Sequence, residues 1–148
     1  MKNVRCKILI AAAFFLAISF SVICVYAEEA PGKWLLGTWV GKHEGMTITS
    51  DEARFEFKED GGVIRWKMDR KGVIRGRSAY WEASGTVTKV DESSVELDGK
   101  YDSTNMDDRY ARRTGSPLKY SLVRIEDMLK GNALGATNLT IPVTLKKR

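Results

Sequence analysis

The sequence has little of the side-chain chemistry that catalytic and metal sites commonly use. Its two cysteines, Cys6 and Cys24, both lie in the first 27 residues, and His43 is its only histidine. Without a later cysteine, the rest of the chain can form no disulfide and can use no thiol nucleophile, so burial alone must stabilise it. A zinc site would have to be built from one histidine and carboxylates, which is a poor set of ligands for zinc. The sequence also has no Gly-x-Ser-x-Gly motif, which would indicate a hydrolytic serine. The sequence therefore predicts a non-enzymatic protein without a metal or cofactor.

Long apolar runs are confined to the N-terminus. Three basic residues within the first seven precede the uncharged stretch 8–27, which ends in Val25-Tyr26-Ala27. A positive start, an apolar middle and small residues before a cleavage point are typical of a secretory signal peptide. Because about 20 apolar residues can also span a bilayer, an uncleaved anchor is the alternative. We expect a signal peptide at residues 1–27, and contact with a membrane only if this leader is retained.

The remainder of the chain is nearly balanced in charge. Residues 28–148 contain 21 of the 24 lysine and arginine residues and all 19 aspartate and glutamate residues, which gives a formal charge of +2. Since a dedicated nucleic-acid binder needs a dominant basic face, we expect no nucleic-acid partner. The length of this part suits one domain with one core. Together with the leader, it predicts an exported bacterial protein, periplasmic or extracellular.

The dominant pattern in this domain is an alternation with a period of two. Arg54-Phe55-Glu56-Phe57-Lys58 alternates charged and aromatic residues, and the segments 64–68 and 139–146 alternate in the same way. Such alternation places apolar residues on one face of a sheet. Turns rich in glycine and acidic residues are expected at 59–62, 69–72, 91–94 and 134–137. The prediction is all-β, an antiparallel up-and-down barrel of about eight strands, with a β-sandwich as the alternative.

Gly37-Thr38-Trp39, which follows a short apolar lead-in, resembles the opening motif of the calycins, the lipocalin-type and avidin-type barrels. The resemblance implies that Trp39 closes the bottom of a barrel and that a basic residue of a late strand packs over it. The three basic residues 146–148 are the candidates for that partner. Other lipocalin signature segments and the biotin pocket have no counterpart, so only the architecture is carried over.

Pro142 bears on whether such a barrel closes. In a closed barrel the last strand pairs with the first, and proline has no N–H to donate to that pairing. Its nitrogen must therefore point away from the ladder or lie at a bulge, or the seam must be open. The edge of a sandwich would tolerate this proline without such an adjustment.

Two functions fit this fold. The first is a lipocalin-like binding protein for a small apolar or amphipathic ligand, which requires an internal cavity. Its candidate ligand-binding residues are Phe55, Phe57, Trp66, Trp81, Tyr120, Arg112 and Arg113. The alternative is an envelope interaction module that binds a protein or polysaccharide, for example as a hydrolase inhibitor, through its surface and the 102–117 loop. That module requires a solid interior and an exposed, ordered patch.

Two further features have a functional and a structural interpretation. Six basic residues lie between Arg65 and Arg77, against the single acid Asp69. On a hairpin they would form a positive stripe suited to anionic polymers or lipid headgroups, and the solvated face of two ordinary strands is the alternative. His43 is expected to be a polar residue at a strand end.

Overall fold

A computed structural model describes residues 32–45, 48–105, 113–136 and 138–148. The predicted signal peptide at residues 1–27 lies outside these residues, as does the candidate ligand-binding residue Arg112. In the part of the chain that is described, no helix has the length and apolar content needed to cross a membrane.

Eight strands follow a 3₁₀ helix at Lys33–Leu35. They are β1 Gly37–His43, β2 Ile48–Asp60, β3 Val63–Ile74, β4 Arg77–Val90, β5 Ser94–Thr104, β6 Pro117–Ile125, β7 Met128–Gly135 and β8 Thr140–Lys147. Each strand pairs antiparallel with the next, and β8 pairs with β1, so the sheet closes on itself. The predicted up-and-down barrel is confirmed, and the sandwich alternative is wrong.

The alternation in the sequence determines which side chains fill the barrel. Phe55 and Phe57 of β2 are buried while the residues between and beside them face outward, and Trp66 and Met68 repeat this arrangement in β3. Each large apolar side chain removed from water in this way contributes about 1.5–3 kcal/mol before the entropy of ordering is subtracted. The core is therefore the inner wall of the barrel.

The first long hairpin turns at two glycines. Asp60 pairs with Val63, and the two residues between them, Gly61 and Gly62, have φ of 59° and 81°. A two-residue turn that needs positive φ at both positions favours glycine over any other residue. This confirms the hairpin predicted at 59–62 and sets the register of β2 against β3.

The turn predicted at residues 69–72 is wrong. β3 continues through this segment to Ile74, and the chain turns at Arg75 and Gly76, both with positive φ. Gly72 is small for a packing reason, because a Cβ on it would lie 2.7 Å from Cγ2 of Ile48. A glycine beside charged residues is typical of a turn, but here it lies within a strand.

Pro142 lies at the end of the seam between β8 and β1. The last pair of that ladder is His43 with Val143, and the N–H of Glu44 then donates to the Pro142 carbonyl over 2.8 Å. The reciprocal hydrogen bond, from residue 142 to the carbonyl of Glu44, would need an N–H that proline lacks. It would lie beyond the end of β1 at His43. The barrel closes because the proline removes only a terminal hydrogen bond.

A basic residue of the last strand packs over the tryptophan of the Gly-x-Trp segment, as the resemblance implies. Trp39 is buried, and its Nε1–H donates to the Leu35 carbonyl over 2.7 Å. Among the basic residues 146–148, Lys147 lies over the indole, with Nζ 5.5 Å from the ring centroid. The eight-stranded barrel and this contact are consistent with a calycin-like fold.

Candidate functional site

Four of the aromatic residues predicted to bind a ligand pack against one another inside the barrel. The ring of Phe55 lies 5.2 Å from that of Tyr120 and 6.2 Å from that of Phe57, and Trp66 lies 5.7 Å from Tyr120. The Phe55–Tyr120 and Trp66–Tyr120 pairs meet edge to face, the favourable geometry for aromatic rings. The side chains expected to line a cavity thus contact each other directly.

The surroundings of the other predicted site residues differ, although Trp81 belongs to the same buried core. Trp81 is fully buried and faces Arg70, whose Cζ is 4.8 Å from the ring centroid. Arg113 is exposed at the end of the predicted loop that precedes β6. Its neighbour Arg112 lies outside the described residues. The structure therefore places five of the seven predicted residues in the core of the barrel, four of them with their rings in contact.

A buried ion pair lies at one end of the barrel. The Nε–H and Nη2–H groups of Arg70 donate to the two carboxylate oxygens of Asp51 over 2.8 and 2.7 Å. The backbone N–H of His43 donates to the same carboxylate over 2.9 Å. Arg70 is only 2% exposed, so this pair is desolvated and either member alone would be costly to bury.

A β-bulge in β2 directs Asp51 inward. Thr49 pairs with Val73 and Glu52 with Lys71, so β2 has one residue more than β3 in this interval. Ser50 has φ of 55° there. The extra residue changes which face the chain presents, and it lets Ile48 and Asp51 both face the interior. Sequence periodicity cannot locate a bulge, and this is why the ion pair was missed.

His43 is the last residue of β1, as predicted, but it is buried. Its Nε2 lies 3.0 Å from the hydroxyl of Tyr120, and that hydroxyl donates to Sδ of Met68 over 3.2 Å. Because the Tyr120 hydroxyl donates its proton to sulfur, its oxygen is left to accept a hydrogen bond from His43. This assigns the tautomer of His43 that carries its proton on Nε2. Nε2 of His43 and the hydroxyl of Tyr120 are thus joined by hydrogen bonds between side chains inside the core.

An open groove of about 840 Å³ runs over the outer face of β1–β4. Two rows of cross-strand neighbours line it, with Glu52, Lys71 and Tyr80 in one row and Arg54, Asp69 and Glu82 in the other. The members of a row point the same way because they are paired in register. Val40 of β1 and Arg148 border the same groove.

The charges of the described residues that line the groove are balanced in sign. Three acids, Glu52, Asp69 and Glu82, face three bases, Arg54, Lys71 and Arg148. Arg70 also borders the groove, but its charge is paired inside the barrel. The ion pairs of the described residues lie elsewhere, and none involves these six side chains. Both signs of charge are therefore available to a ligand.

Asn105 positions the aromatic residue of the groove. Its side-chain oxygen accepts the N–H of Tyr80 over 2.8 Å, and its Nδ2 donates to the carbonyl of Ser78 over 3.1 Å. The amide thereby extends the pairing of β4 and β5 beyond Trp81 and Thr104. Tyr80 is held by its backbone while 41% of its surface stays exposed. Of the two interpretations of the basic residues between Arg65 and Arg77, the solvated face fits better, because Arg70 faces inward and Glu56 and Glu52 lie opposite Lys67 and Lys71.

The groove and the packed core are the structural features that bear on the function of the chain. No protein-family model matches the chain, and no curated protein matches its sequence. What the structure establishes is a closed, eight-stranded antiparallel barrel whose fold is compatible with ligand binding.

Proposed function

We propose that the chain is an exported, non-catalytic binding protein whose polar ligand occupies the outer groove over β1–β4. The observation that supports this most strongly is the contrast between the two faces of the wall. The inner aromatic side chains are packed against each other, whereas the six charged side chains of the groove take part in no ion pair of the described region.

The apolar carrier suggested by the calycin resemblance is the second candidate. A ligand inside the barrel would have to separate rings such as Phe55 and Tyr120, whose centroids are 5.2 Å apart. Each aromatic pair contributes about 0.5–1.5 kcal/mol beyond its buried area, so an interior ligand must replace several such contacts. A ligand in the groove displaces only water. This difference favours the surface.

The groove also bears on where an interaction module would bind its partner. Among the described residues, the lining of the groove comes mostly from the paired strands β1–β4, together with Asn105 and Arg148. Sites on strands hold their side chains more precisely than sites on loops. The predicted leader supports export, and an exported protein would take its ligand from outside the cytoplasm.

Native mass spectrometry of the protein purified from cells that express the full chain tests this function. Wild type should retain a bound molecule, and the Arg54→Ala/Lys71→Ala variant should lose it because two groove donors are gone. Lys100→Ala/Lys130→Ala removes two exposed lysines outside the groove and should bind as wild type does. A molecule retained by the groove variant, or none retained by wild type, would contradict the proposal.

A further inference from the structure

We infer that the ligand of the groove is an uncharged oligosaccharide, an inference that rests on the proposed function. Three features of the groove support it: the balance of charge, the exposed aromatic ring and the dimensions.

The balance of charge argues against a ligand that is purely anionic, purely cationic or apolar. Among the described residues, three carboxylates border the groove together with three basic groups other than Arg70, whose charge is paired with Asp51. A polyanion or a polycation would therefore meet about as much repulsion as attraction from them. An apolar ligand would remove these groups from water without offering hydrogen bonds in return, which is unfavourable. The ligand must satisfy acids and bases side by side.

Hydroxyl groups meet this requirement. A hydroxyl donates one hydrogen bond and accepts two, so it can donate to Asp69 or Glu82 and accept from Arg54 or Lys71. Hydrogen bonds with one charged partner are about twice as strong as neutral ones. Acids and bases are also neighbours within each row, since Glu52 pairs with Lys71 and Arg54 with Asp69. A saccharide presents hydroxyls at a similar close spacing.

Tyr80 supplies the apolar surface that a sugar ring needs. A pyranose has a face of C–H groups that packs flat on an aromatic ring, and tyrosine combines such a ring with a polar tip. Tyr80 closes the row of Glu52 and Lys71, and Asn105 fixes its backbone. The ring is therefore presented beside the charged side chains that would bind the hydroxyls.

The dimensions of the groove fit more than one sugar unit. Its volume of about 840 Å³ lies in the upper part of the range of small-ligand sites, about 300–1,000 Å³. Three adjacent strands, β2 to β4, extend over about 10 Å at the usual spacing between strands. A short segment of a polysaccharide can lie across both rows.

Isothermal titration calorimetry with the purified full-length protein tests this inference. The neutral probes are the hexasaccharides of α-linked glucose, β-linked glucose and N-acetylglucosamine, and hexagalacturonate is the anionic probe. N-phenyl-1-naphthylamine, followed by its fluorescence, is the apolar probe. We expect at least one neutral hexasaccharide to bind. Tyr80→Ala should weaken it by about tenfold or more, equivalent to about 1.4 kcal/mol, whereas Tyr80→Phe and the distant control Lys130→Ala should leave it unchanged.

The outcomes separate this inference from the function on which it rests. If no neutral hexasaccharide binds, or if Tyr80→Ala leaves their binding unchanged, the sugar assignment is wrong. Binding of hexagalacturonate alone, weakened by Arg54→Ala, would overturn the uncharged ligand and leave the groove as the binding site. Binding of the naphthylamine alone, unaffected by the groove variants, would overturn both.

Discussion

Lys147, the last residue of β8, lies over the indole ring of Trp39 in β1, with its Nζ 5.5 Å from the ring centroid. The same ammonium group donates to the carbonyl of Trp34 over 2.6 Å. One side chain thus joins the closing strand to the 3₁₀ helix and to the first strand of the barrel. This contact stabilises the seam at the end opposite Pro142.

Replacing Lys147 should weaken that seam. Lys147→Met keeps an apolar stem but removes the cation over the ring and the bond to Trp34, and it should lower the free energy of unfolding by about 1 kcal/mol. Urea unfolding followed by circular dichroism measures the change. The matched control is Lys146→Met, which breaks only an exposed ion pair with Asp127 and should alter stability by less than about 0.5 kcal/mol. Equal effects of the two substitutions would contradict the role of Lys147.

Replacing Trp39 should lower the free energy of unfolding more than replacing Lys147 does. Trp39→Ala removes a buried indole and the hydrogen bond to Leu35, so we expect a loss of about 3–5 kcal/mol. Thermal and urea unfolding provide the measurement, and the exposed Val123→Ala on β6 is the control. A loss below about 0.5 kcal/mol, as at surface positions, would mean that this residue does not support the core.

The buried pair of Asp51 and Arg70 should behave as a unit. Arg70→Met leaves the carboxylate buried without its two guanidinium bonds and should cost about 3–5 kcal/mol. In the double variant Asp51→Leu/Arg70→Met no charge is left uncompensated, so its loss should be smaller than the sum of the two single losses. A double-mutant cycle by urea unfolding checks this. Strict additivity of the two substitutions would argue against the pair.

The turn between β4 and β5 makes part of the stability depend on pH. The carboxylate of Asp91 accepts hydrogen bonds from the Ser94 hydroxyl over 2.6 Å and from the N–H groups of Ser93 and Ser94. These bonds, the hydroxyl first, lower the pKa of Asp91 from 3.8 to about 2. Because the folded pKa is depressed, the contribution is complete above about pH 4 and is lost as the pH falls toward 2.

Asp91→Asn tests this dependence. The variant cannot gain a proton at this position, so its stability should fall less than that of wild type between pH 4 and pH 2. Urea unfolding at several pH values compares them, with Glu92→Gln of the same turn as the control. The Asp91 carboxyl carbon should titrate near pH 2 by NMR. Parallel pH profiles for wild type and Asp91→Asn would rule out the proposed contribution.

The alternation of residues was sufficient to predict the barrel and its inner face. Phe55, Phe57 and Trp66 face inward as predicted, and the same parity extended along β3 would have placed Arg70 inside. Its charge and the glycine after Lys71 argued for a turn instead. Periodicity was the better guide there because a buried partner, Asp51, makes the inward arginine tolerable.

The groove could not be predicted because it depends on which residues face each other across strands. The turn at Gly61–Gly62 sets the pairing of Glu52 with Lys71, and this hairpin was located from the sequence. The turn at Arg75–Gly76 sets the pairing of Lys71 with Tyr80, and it was missed. An error of a few residues in one turn moves every cross-strand neighbour, so the rows emerge only from the structure.

The central claim is that a ligand binds outside the barrel while the aromatic core stays packed. Amide chemical-shift mapping of ¹⁵N-labelled protein tests it most directly, with the molecule released from the wild-type protein as the titrant. We expect shifts at Lys71, Tyr80 and Glu82 on the outer wall, with Leu122 and Leu129 in the core unchanged. Shifts concentrated at Leu122 and Leu129, with the groove amides unmoved, would contradict it.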